Sequence, residues 1–295
     1  MAFLNSKRHL LWLIVLFILR PAAHADQTKV LIVVGPSNHP AGTHEVAAGG
    51  RLLEYCLERA AGLPNISAQV IDGWPKDKRI LQDVATVVFS GDRFPLAEMS
   101  DTQQNMSELA ELMDRGCGLV CFHYATGLTA GQMPDSGEHP LLQWMGGYFA
   151  TRCVHHQSVA RIFQSAEIEL AAPDHPVLRG CNPFTIHDEP YINNYFGPDG
   201  IQPNVTPLLT SMLPPEAPKR EVIAWAAERA EGGRGMGIVM PHFYKNWQVD
   251  DLRMIILNGI AWTAHLEVPE DGVQIDLPDL RSFAPEAVEF TPRAK

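Results

Sequence analysis

The chain has 295 residues, is 46% apolar and carries a formal net charge of −11. That length allows one large α/β domain or two small ones, and the composition excludes a low-complexity or repeat protein. The acidic balance repels phosphate backbones, so nucleic acid is excluded as an expected partner.

The amino terminus reads as a leader. Lys7 and Arg8 precede an apolar run from Leu10 to Leu19, followed by Ala23-His24-Ala25 and Asp26. A basic segment, a short apolar core and an A-x-A site make a secretory signal peptide over residues 1–25. The alternative is a membrane anchor, but the run is about half the roughly 20 residues that span a bilayer. Removing residues 1–25 takes away Lys7, Arg8 and Arg20 and no acid, moving the charge from −11 to −14. The expectation is an exported protein, periplasmic or extracellular, with no membrane contact after cleavage. Of the five cysteines, Cys56, Cys117, Cys121, Cys153 and Cys181, none form a C-x-x-C pair. The odd count leaves at least one free thiol.

In chain order, the pattern predicts strands over 29–34, 66–71, 84–89 and 118–122, with helices over 45–61 and 101–115 between them and Thr43 capping the first. Apolar β-branched runs alternating with helices indicate a parallel sheet covered on both faces. The second half predicts a short helix over 139–147, strands over 154–163, 168–170, 184–188, 206–209, 222–226 and 236–240, and a closing helix over 250–265. No linker divides the chain. Residues 26–267 read as one domain, and residues 268–295, rich in Pro and acids, as a tail packed on it.

Ligands of such sheets bind beyond the carboxyl ends of the strands. His39 and His44 follow the first strand, Asp92 the third, His123 the fourth and His242 the last, so they are expected to share one crevice. His156, and the run His187-Asp188-Glu189 with Tyr191, add imidazoles and carboxylates suited to proton transfer or metal ligation. Tyr124 and Trp247 are candidate ligand contacts. No zinc-protease H-E-x-x-H, G-x-S-x-G elbow or P-loop is present.

Four segments in order, "NHPAGTHE", "GCGLVCFHYATG", "HPVLRG…FTIHDEPY" and "VMPHFYKNW…ILNGIAWTA", resemble the ThuA-like (trehalose utilisation) family over about residues 28–265. The resemblance implies a flavodoxin-like three-layer sandwich with a mainly parallel sheet, as in class I glutamine amidotransferases, plus extra strands in the second half. Those relatives carry a nucleophilic cysteine at the elbow where this sequence offers His123 or Tyr124, with Cys121 inside the strand. Amidotransferase chemistry is therefore not expected. The family implies a small carbohydrate ligand, with acid–base or metal-assisted cleavage of a glycoside or 3-keto-glycoside. His123, His242 and Glu189 are the expected catalytic residues. His39, His44, Asp92, Tyr124, His156, Asp188, Tyr191 and Trp247 are the expected ligand contacts. His123, His156, His242 and Glu189 are the expected holders of a divalent metal. A homo-oligomer is compatible with this reading. The competing readings are a non-catalytic carbohydrate-binding or scaffold domain, and a peptidase or amidohydrolase using Cys121 or another thiol.

Overall fold

The computed structural model describes residues 27–290 apart from 64, 95, 97 and 98. The predicted leader lies outside the described residues. None of the described helices is long and apolar enough to cross a membrane.

The first half alternates strand and helix: β1 (Thr28–Val34), α1 (Val46–Arg59), β2 (Ile66–Asp72), β3 (Val84–Ser90), α2 (Thr102–Asp114) and β4 (Gly118–Phe122). A small parallel pair follows, β5 (Gly127–Thr129) with β6 (Phe149–Thr151), and between them α3 (Pro140–Trp144). The second half supplies β7 (Phe163–Leu170), β8 (Phe184–Asp188), β9 (Val205–Leu213), β10 (Lys219–Glu228), β11 (Arg234–Ile238) and α4 (Asp250–Thr263). One nine-stranded sheet runs β2-β1-β3-β4-β11-β10-β9-β7-β8.

The β2-β1-β3-β4-β11 half is parallel throughout. The other four pairings are antiparallel. The sheet is thus evenly mixed, which corrects the expectation of a mainly parallel one. The reason is connection length: β9 to β10 and β10 to β11 are joined by short turns, which can only reverse the chain. The strand expected over 154–163 is also corrected. Most of that segment is irregular, and the strand begins at Phe163.

α1 buries Leu52, Leu53, Cys56 and Leu57, a helical stripe facing the sheet. Gly50 lets it approach β1, since a Cβ there would lie 2.8 Å from Val34 Cγ2. Thr43 does not cap this helix. Its hydroxyl donates to the Pro40 carbonyl, and Glu45, in the left-handed region, occupies the cap position. Residues near the carboxyl end meet α1 and the segment after it: Arg51 donates to the Phe283 and Ala284 carbonyls, and Gln274 bridges to Ala61.

Candidate functional site

Four strand ends of the parallel half carry polar loops to one place. The loop after β1 brings His39 and His44, the end of β3 brings Asp92, β4 brings His123, and the segment after β11 brings His242. At His123 the backbone turns from extended Phe122 into the left-handed region, at φ 49°. A non-glycine residue held there is strained, and such positions cluster at functional sites. The Thr126 hydroxyl fastens the turn by donating to the His123 carbonyl at 2.6 Å. β8 reaches the same place from the antiparallel half, delivering Asp188, Glu189 and Tyr191.

Three imidazoles converge. His44 Nε2 lies 3.1 Å from His242 Nδ1, and His123 Nε2 lies 3.0 Å from the same atom. Glu189 Oε2 stands 3.4 Å from His242 Nδ1 and 3.8 Å from His123 Nε2. The outer nitrogens are spoken for. His44 Nδ1 donates to Asp92 Oδ1, and His123 Nδ1 donates to the Val239 carbonyl at 3.2 Å. A neutral imidazole has one proton, so the Nε2 atoms of His44 and His123 present lone pairs to the centre. His242 Nδ1 can donate to only one of them in a linear bond. When it donates to His44, the Tyr191 hydroxyl, 2.9 Å from His123 Nε2, can donate to His123.

Electrostatics keep these rings neutral. Burial, then the neighbouring His44 and His242, holds His123 well below the usual imidazole range. Burial, with His44 and His39, pushes His242 down to about 3. Burial also lowers His44, partly offset by its bond to Asp92. Asp92 is itself half-buried, which would raise it. Hydrogen bonds from His39 at 2.7 Å, from His44 and from the Asn38 N–H nonetheless hold it well below the usual carboxylate range. Burial raises Asp188 to about 6. Burial and the adjacent Asp188 raise Glu189 to about 7.

A cleft of about 450 Å³ opens beside the cluster, lined by Asn38, His39, Asp92, Arg93 and Tyr124 among others. The structure thus brings together His39, His44, Asp92, His123, Tyr124, Asp188, Glu189, Tyr191 and His242. Two expectations are corrected. His156 lies away from the cluster, with its ring against Tyr195 and its Nε2 donating to the Asn193 carbonyl; His44 takes its place in the converging set. Trp247 is 2% exposed and packs edge-on to Phe122, so it fills core and offers no face to a ligand. The Val239 carbonyl and the Asn38 N–H complete the site; they are backbone groups, and residue type gives no signal for them. Cys121 is fully buried and its thiol is raised far above the ordinary range by burial, which removes Cys121 as a nucleophile.

Fold and site together define a mixed α/β domain with an imidazole–carboxylate centre at the carboxyl edge of its parallel strands. The family model for ThuA, trehalose utilisation, matches residues 29–263, and the chain belongs to that family, whose setting is carbohydrate metabolism. A ThuA-like protein from Bacteroides uniformis has a similar structure, at 14% identity and a TM-score of 0.57, covering 83% of this chain and 94% of that one. The chain is also similar to the carbohydrate deacetylase Agd3, at 10% identity and a TM-score of 0.48, covering 81% of this chain and 32% of that one. A Thermoplasma acidophilum protein described as part of a GMP synthase aligns at 10% identity and a TM-score of 0.46, covering 82% of this chain and 96% of that one. No curated protein matches the chain.

Proposed function

We propose that this protein is an enzyme of carbohydrate metabolism that cleaves a glycoside or 3-keto-glycoside at a divalent metal held by His44, His123 and His242. The observation that carries the reading is the convergence of three neutral imidazole nitrogens, all within 4.8 Å of one another. The donor set fits. Imidazole suits zinc and its first-row neighbours, and ligand atoms of a tetrahedral zinc site stand roughly 3.3 Å apart given its bond lengths. Asp92 behind His44 and the Val239 carbonyl behind His123 are the outer partners that fix a ligating imidazole's tautomer.

When bound, the metal supplies Lewis acidity toward a ligand oxygen. The chain's own groups supply the rest. Glu189, raised to about 7, can take or give a proton near neutral pH. On a 3-keto-glycoside it would remove the acidified proton at C2. The C1–O bond then breaks, a C1–C2 double bond forms, and the departing oxygen takes a proton from water or from the Glu189 carboxyl that has just received one. Tyr124 and His39 line the cleft and can orient hydroxyls, while the fully buried Tyr191 bears on His123. We also read the β2-β1-β3-β4 order, with its crossover helices, as the flavodoxin-like frame of class I glutamine amidotransferases. Export belongs to the proposal, and an Asp26 amino terminus on the secreted protein would support it.

The test is elemental analysis of the purified protein beside a His123→Ala/His242→Ala variant, followed by turnover of trehalose and 3-keto-trehalose. One metal per chain, lost in the variant together with turnover, supports the reading. Saturable sugar binding without metal or turnover would favour a carbohydrate-binding domain instead.

A further inference from the structure

The C-terminal tail crosses the site's two outermost loops. Glu45, next to His44, accepts at Oε1 from the Gly42 N–H at 2.8 Å and the Ala287 N–H at 3.0 Å. Its Oε2 accepts from the Glu286 N–H at 2.8 Å. One carboxylate therefore ties the β1 loop to backbone more than 240 positions away. The same tail reaches the loop that carries His242. Lys245 pairs with Glu289 at 3.0 Å, and the Phe243 and Phe290 rings are 5.7 Å apart. The two loops are also joined directly, Tyr244 N–H donating to the Gly42 carbonyl at 3.0 Å. Gly42, at φ 80°, permits this crossing, because a Cβ there would collide with the Glu289 backbone.

We infer that Glu45 is a positioning residue of the site: its carboxylate docks the tail at 286–287 and so fixes the loops bearing His44 and His242. The physical case is geometric. His44 and His242 come from loops with no strand pairing between them, yet their ring nitrogens stand 3.1 Å apart. Ligand sets need placement within about 0.5 Å, and loops are the least rigid carriers of such groups. A tail clamped across both by charge-assisted hydrogen bonds supplies the missing rigidity. The inference rests on the metal reading only for its metal readout.

The experiment compares the full protein with Glu45→Ala, Glu45→Gln and, as a control destabilised at a distance, Leu213→Ala. It measures Zn²⁺ affinity by chelator competition, amide exchange at Glu286 and Ala287, and the ring ¹⁵N resonances of His44 and His242 without metal. In Glu45→Ala the two amides should lose protection and the zinc Kd should rise roughly 10–100-fold. The control should leave the Kd unchanged. Glu45→Gln keeps one acceptor oxygen and should fall between; it carries the test if Glu45→Ala does not fold. Freed tail amides with unaltered zinc affinity and ring resonances would overturn the inference. If the wild-type protein takes no zinc, the metal reading fails, and the metal-free resonances alone decide. Shifted rings in the Glu45 variants then support the positioning role, and unmoved rings overturn it.

Discussion

Asp188 Oδ1 accepts the backbone N–H of His242 at 2.8 Å. The same oxygen takes the Glu189 N–H at 2.8 Å, so one fully buried carboxylate holds both the last imidazole and the site's titratable acid. Asp188→Ala should strand these donors at roughly 1–3 kcal/mol each. Chemical denaturation should show that loss, and metal content should fall with it. Asp188→Asn keeps one acceptor oxygen and should lose less.

The outer partner of His44 and the misplaced histidine make a paired test. Asp92→Ala should weaken metal binding roughly 10–100-fold by releasing the tautomer and orientation of His44. His156→Ala should leave metal affinity untouched, because that ring sits against Tyr195. Chelator competition on both proteins checks the pair, and equal losses would contradict the proposed ligand set.

Trp247 is expected to matter for stability. Its indole is buried against Phe122, so Trp247→Ala should cost about 3–5 kcal/mol in denaturant unfolding. Trp247→Phe fills most of the space and should cost much less, with ligand binding retained.

Acid should destabilise the protein in part through His139, the residue that caps α3. Its Nδ1 accepts the Leu141 N–H at the start of α3. Burial lowers this ring from 6.5 to about 4. The unfolded chain then binds more protons between those values. The contribution is whole above pH 6.5 and is lost as pH falls toward 4, at most about 3 kcal/mol. His139→Asn keeps a capping acceptor without the titration. Its melting temperature should fall less steeply than the wild type's between pH 6.5 and 4.

Alkylation should separate the thiols. Iodoacetamide on the native protein should leave Cys121 unmodified, and mass spectrometry should find it modified only after denaturation. Cys121→Ser should cost roughly 1–3 kcal/mol by burying a hydroxyl in an apolar strand and should leave metal content unchanged.

Much of the fold is legible in sequence because its signals are local. Runs such as Lys29–Val34 and Val84–Phe89 are apolar because strands buried on both faces must be, and Gly116 ends the helix before β4 where the chain needs positive φ. The histidines at strand ends pointed to one crevice because a parallel sheet gathers its carboxyl ends on one edge. The reversal of the second half was less legible, since short turns were visible but strand partners were not. His156 and Trp247 show why the site needed more. Residue type fits an imidazole for metal and an indole for sugar wherever they fall, but their positions depend on packing between distant segments. The sequence by itself determined the parallel half, the elbow without a nucleophile and the supply of imidazoles and carboxylates, all of which follow from local pattern and covalent order. Only the tertiary structure decided that His44, and not His156, stands within hydrogen-bond reach of His242, that Asp188 and Val239 orient the imidazoles, and that the tail reaches Glu45. Those contacts span up to 242 positions of chain, and only the closing of the sheet brings them within hydrogen-bond range.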